Sequence, residues 1–108
     1  MKTERVLALA DFIEGQRDYD QSNPRACVAG MAKRLLRQEQ PWNWRYWFPL
    51  ATPKTLWKDF GIDPETAKDI YVSGWESRSG FRATRQLAAT MLRRLANTGE
   101  FRWGVAGA

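Results

Sequence analysis

Apolar residues recur at three- and four-residue spacing in several separate stretches, which is the signature of short amphipathic helices rather than of strands. Val6, Leu9, Ala10 and Ile13, with Leu7 and Phe12 beside them, form the first such stripe. Thr3 is placed to cap this helix and Gly15 to stop it. Gln16 to Asn23 is polar, carries Asp18 and Asp20, and reads as a connection. Asn23-Pro24 predicts the start of a second helix, because the amide side chain accepts from the first turn and proline lacks an N–H that would find no partner there. That helix runs to about Gln38, with Cys27, Val28, Met31, Ala32, Leu35 and Leu36 along one side and Arg25, Lys33, Arg34 and Arg37 opposite.

The same cap-then-proline pairing occurs at Thr52-Pro53 and again at Asp63-Pro64. The first predicts a short helix with Leu56, Trp57 and Phe60 inward, stopped by Gly61. The second predicts a helix with Ala67, Ile70 and Tyr71 on one side, ending near Ser73-Gly74. Trp75 to Gly80 is rich in serine, glycine and charge and reads as an exposed turn. The last helix extends from about Phe81 to Ala96, with Phe81, Thr84, Leu87, Ala88, Met91, Leu92 and Leu95 at helical spacing, and Asn97-Thr98-Gly99 ends it. Residues 100–105 have room for one short strand, Phe101, Arg102 and Trp103 can tuck back on the body, and residues 102–108 read as a fraying tail. The class is therefore all-α, a single compact domain over residues 1–108 with about five short helices.

Between the second and third helices lies Pro41-Trp-Asn-Trp-Arg-Tyr-Trp-Phe-Pro49, which holds three of the six tryptophans. In an extended segment Trp42, Trp44 and Tyr46 would share one face, with Asn43, Arg45 and Trp47 on the other. Trp44 and Phe48 are expected in the core of so small a chain. Trp42, Arg45 and Trp47 are expected to reach a partner, since tryptophan and arginine bury large areas while keeping a polar handle.

Charge sharpens this picture. The net charge is +5, and residues 21–58 hold seven lysines or arginines with Glu39 as the only acid. Residues 59–76 reverse the balance, with five acids against Lys68, and the remainder carries six arginines against Glu100. Such segregation implies basic and acidic patches able to attract a polyanion or an acidic protein. Arg78, Arg82, Arg85, Arg93 and Arg94 form an alternative nucleic-acid-binding set along the last helix.

Candidate chemistry is sparse. The chain has no histidine, hence neither the commonest general base near neutral pH nor the commonest metal ligand. Asp18, Asp20 and Ser22 begin a calcium-loop pattern, but Asn23 stands at its glycine position and Ala29 at its terminal glutamate position. Cys27, the single cysteine, can form neither an internal disulfide nor a multi-thiolate site, and its stripe with Val28 and Met31 marks it as packing. Leu56 to Tyr71 has the outline of a helix-turn-helix, yet its second helix would present Asp63, Glu65 and Asp69 to a polyanion. The expectation is a non-enzymatic protein without cofactor or metal, neither secreted nor membrane-inserted, cytoplasmic by default.

Tyr19-Asp20-Gln21-Ser22, followed by Cys27-Val28-Ala29-Gly30-Met31-Ala32, resembles a signature of small uncharacterised phage, prophage and bacterial proteins, aromatic-Asp-x-Ser and then Cys-x-x-Gly-x-Ala entering a helix. Phe60-Gly61-Ile62 with Ala67, Ile70 and Tyr71 is similar to the next block, and Leu92 to Trp103 to a closing helix. Many relatives of that kind carry a second cysteine just before the matched one, where this chain has Arg25-Ala26. The resemblance implies an all-helical domain of phage origin and no activity. Taken together, these readings favour an interaction protein that binds a host or viral macromolecule, with a protein as the expected partner, inhibiting a host defence or replication factor.

Overall fold

A computed structural model describes residues 1–20, 23, 25–47, 52–76 and 84–101. Within them the chain forms five α-helices, α1 (Thr3–Glu14), α2 (Val28–Glu39), α3 (Pro53–Asp59), α4 (Pro64–Glu76) and α5 (Arg85–Thr98), with one 3-10 turn, Trp44–Trp47, between α2 and α3. No strand occurs among the described residues. Glu100 and Phe101 lie in irregular backbone, and residues 102–105 of the expected strand fall outside the description, as do Ser22, Pro24, Phe48, Phe81 and Trp103.

The predicted stripes form the core. Val6, Leu9, Ala10 and Ile13 of α1 are wholly buried and α1 packs most extensively against α5, whose Ala88, Leu92 and Leu95 are buried in turn. Cys27, Val28, Met31, Ala32 and Leu36 join them from the α2 side, and Leu56, Phe60, Ile62, Ala67 and Ile70 from α3, α4 and the bend between. Each such aliphatic or aromatic side chain removed from water contributes roughly 1.5–3 kcal/mol of transfer free energy, opposed by the entropy of ordering. Arg93 ties the outer edge of the α1–α5 seam, paired with Asp11 at 2.7 Å and with Glu14.

Several helix boundaries differ from those the sequence predicts, for local reasons. Lys2 rather than Thr3 caps α1: its N–H donates to the Phe60 carbonyl at 3.0 Å and its own carbonyl accepts from Arg5 and Val6, so the chain turns helical one residue early. Asn23 does not begin α2. Its side-chain oxygen accepts from the Arg25 N–H at 2.9 Å and its carbonyl from Ala26 and Cys27, making a turn of its own. Cys27 is then extended, with ψ −178°, and α2 starts at Val28. Helix α4 continues past Gly74 to Glu76, since one helical glycine costs only about 1 kcal/mol. Thr84 is the cap of α5 and not part of its inward stripe: its hydroxyl accepts from the Leu87 N–H at 3.1 Å. The Asp63-Pro64 device works as read, with Asp63 accepting from the N–H groups of Glu65 and Thr66. Trp57 corrects another expectation. It is 37% exposed, because the buried line of this short helix runs through Leu56 and Phe60 and Trp57 sits about 100° around from Leu56.

Gly61 has φ +66°, and a Cβ there would meet the Lys2 backbone nitrogen at 3.0 Å and the Met1 Cα at 3.2 Å. Gly99 also has positive φ, at +79°, but a Cβ there would meet nothing within 4 Å. Gly99→Ala should therefore cost about 1–2 kcal/mol, the left-handed backbone penalty alone, and Gly61→Ala distinctly more, because backbone must also move. Urea denaturation of the two variants checks the order.

Burial pushes the Tyr19 phenol far above its ordinary value, with Cys27 and then Asp20 adding to the rise. A pKa raised in the fold means stability that is present below the unfolded tyrosine value of about 10 and is lost as pH rises beyond it. Stability measured by urea midpoint should fall above about pH 10, and Tyr19→Phe should make that decline shallower.

Candidate macromolecule-binding face

The Pro41–Trp47 stretch is short and well tied. Asn43 organises it: its N–H donates to the Gln40 carbonyl at 3.0 Å, its side-chain amide donates to the Gln40 side-chain oxygen at 3.2 Å, and its own side-chain oxygen accepts from the Arg45 N–H at 3.2 Å. An asparagine that accepts from the backbone two residues on mimics a turn, and this closes the segment into a 3-10 turn rather than an extended segment. The Trp47 indole N–H donates to the Pro41 carbonyl at 2.9 Å, which fixes both ends together. The Arg37 guanidinium, from the last turn of α2, lies 5.5 Å from the centre of the Trp47 ring, a cation–π distance. Tyr46 anchors the turn inward, its hydroxyl donating to Asp59 of α3 at 3.1 Å. Burial and that bond to Asp59 raise the Tyr46 phenol.

With the turn in this conformation the three indoles face solvent, Trp42 at 77%, Trp44 at 67% and Trp47 at 57% exposure. Trp42, Arg45 and Trp47, expected to reach a partner, are all at the surface. Trp44 was expected in the core, and the structure corrects this, because the half-buried ring of the turn is Tyr46. Phe48, its expected companion, lies outside the described residues. The alternation of faces drawn for an extended strand does not apply to a 3-10 turn, in which successive side chains are about 120° apart.

Beside the indoles lies a groove of about 470 Å³ lined by Lys33, Trp44, Arg45, Tyr46, Thr52, Lys54, Thr55, Lys58 and Asp59. Four cations thus face one carboxylate, and that carboxylate already accepts the Tyr46 hydroxyl. Arg45, Lys54 and Lys58 are in no ion pair among the described residues. Lys33 is only 7% exposed, and burial together with the nearby Arg37 pushes its ammonium below the ordinary lysine value. Glu39, the one acid of the 21–58 stretch, is paired with Arg5 of α1 at 3.1 Å. The wall contributed by α3 was not singled out from the sequence. Its signal was Lys54 and Lys58 at i, i+4 spacing, which places both on one face.

The alternative arginine set is divided. Arg93 is held in ion pairs with Asp11 and Glu14, Arg85 is half-buried, Arg94 is exposed, and Arg78 and Arg82 fall outside the described residues. Cys27 is wholly buried. Burial pushes its thiol up, against the downward pull of the first-turn N–H groups. Among the described residues no group of three or more His, Cys, Asp or Glu is placed to hold a metal ion, and no described helix is long and apolar enough to cross a membrane. No protein-family model, curated protein or solved structure matches the chain.

Removing the Tyr46 hydroxyl should release the turn from α3. Tyr46→Phe is expected to lower stability by about 0.5–1.5 kcal/mol and to broaden the amide resonances of residues 41–47, read by urea denaturation and by heteronuclear NMR.

Proposed function

We propose that this protein is a non-enzymatic binding module that captures a negatively charged macromolecule through the Trp42–Trp47 turn and the cationic groove beside it. The observation that carries the reading is the juxtaposition of the solvent-facing Trp44 with Lys33, Arg45, Lys54 and Lys58, with Trp42 and Trp47 exposed in the same short segment. Tryptophan held on a fixed turn contacts a partner at little conformational cost, and an excess of one charge sign steers the opposite sign toward it. The acidic residues Asp63, just before α4, and Glu65 and Asp69 on it are exposed and do not line this groove. The phage origin that the resemblance implies would make the partner a host or viral macromolecule, with inhibition of a defence or replication factor as the task.

The arginines of α5 support a second binding surface less well, since Arg93 is held by two carboxylates of α1. The reading is tested by heteronuclear NMR titration at low salt with a panel of polyanions: poly-glutamate, a single-stranded oligonucleotide and a duplex. At least one should shift the indole resonances of Trp42, Trp44 and Trp47 and the amides of residues 52–58, leaving those of α5 in place. If no member of the panel shifts them, this face is not a binding site for anionic macromolecules.

A further inference from the structure

Resting on that reading, we infer that the occupant of the groove is single-stranded nucleic acid, with bases stacked on the exposed indoles and phosphates running among Lys33, Lys54 and Lys58. The observations separate this occupant from an acidic protein. Protein interfaces are anchored where aromatic side chains enter desolvated apolar sockets, and their cores are depleted in lysine. Here the three indoles are largely exposed, and the recess that Trp44 and Tyr46 help to line also carries Lys33, Arg45, Lys54 and Lys58 against one carboxylate, Asp59, with the hydroxyls of Thr52 and Thr55 beside them. A single strand meets both features at once. Each of its bases has two apolar faces to offer a ring, and its backbone repeats a negative charge that a cationic groove can follow.

The geometry also favours a single strand over a duplex. Duplex reading needs a helix or ribbon that enters the major groove, whereas Trp44 and Trp47 project from a four-residue 3-10 turn, with Trp42 just before it, and would meet bases already stacked on one another. Nor does the pairing of Arg37 with Trp47 compete with this use, because a ring that carries a cation on one side retains its other face.

The test is fluorescence anisotropy with a labelled oligothymidylate of about twelve nucleotides, within the size range of single-strand sites, competed by an equal-length duplex and by poly-glutamate. Binding should weaken with salt at a log–log slope between about −2 and −3, as expected for three or four neutralised phosphates on a single strand. Trp42→Ala, Trp44→Ala and Trp47→Ala should each weaken it by about 5- to 150-fold, the range for loss of one stacked base. Lys54→Glu with Lys58→Glu should weaken it and flatten the salt slope, while Arg94→Glu on α5 leaves both unchanged. Circular dichroism on each variant confirms that helix content is retained. Binding of poly-glutamate, labelled in its turn, with no oligothymidylate binding would overturn this inference and leave the anion-binding face standing. Binding that depends on Arg94 and not on Lys54 and Lys58 would overturn it too, by moving the site. Silence of all three ligands would remove both readings.

Discussion

Val6, Leu9, Ala10 and Ile13 are wholly buried along one face of α1, and α1 meets α5 and α2 while Lys2 at its start is bonded to the end of α3. With α3 and α4 packed on each other and on α2, the aliphatic stripes close the interior among themselves, with Phe60 as the largest fully buried side chain among the described residues. None of the described tryptophans whose side chains are placed, Trp42, Trp44, Trp47 and Trp57, is needed there, and all four remain at least a third exposed. The surface that could do work is in this sense a by-product of a core that is already full.

A large apolar side chain at the surface is ordinary when it stands alone and informative when several stand together. Polar bonds help to hold the segment that carries the indoles: Asn43 with Gln40, Trp47 with Pro41, Tyr46 with Asp59. Those bonds leave the rings available and limit the entropy that contact would cost. Glu39, the one acid of the surrounding stretch, is drawn to Arg5 on α1, and the groove keeps a single carboxylate, Asp59, which accepts from Tyr46, against four cations. A basic stretch of sequence thereby becomes a basic recess in space.

Position in the fold also separates the two groups of arginines and lysines that looked equivalent along the chain. Arg93 lies at the α1–α5 seam, where Asp11 and Glu14 neutralise it, whereas Lys54 and Lys58 lie on a helix with no acid of α1 in reach of an ion pair. A cation already paired has little left to offer a phosphate, and one surrounded by like charges has more.

The helical class, the stripes of α1, α2 and α5, and the Asp63-Pro64 start of α4 were legible in the sequence, because apolar periodicity and capping are local and depend on neighbours three or four residues away. Asn43 was legible in principle as a turn former, though the faces of this stretch were drawn only for an extended segment. The fate of Trp44 and Trp57, the pairing of Glu39 and Arg93, and the meeting of Lys33 with Lys54 and Lys58 were decided only by the tertiary structure. Whether a ring is buried depends on whether other side chains have already filled the interior. Whether a charge is free depends on which distant helix lies beside it, and neither sum can be taken over a local window.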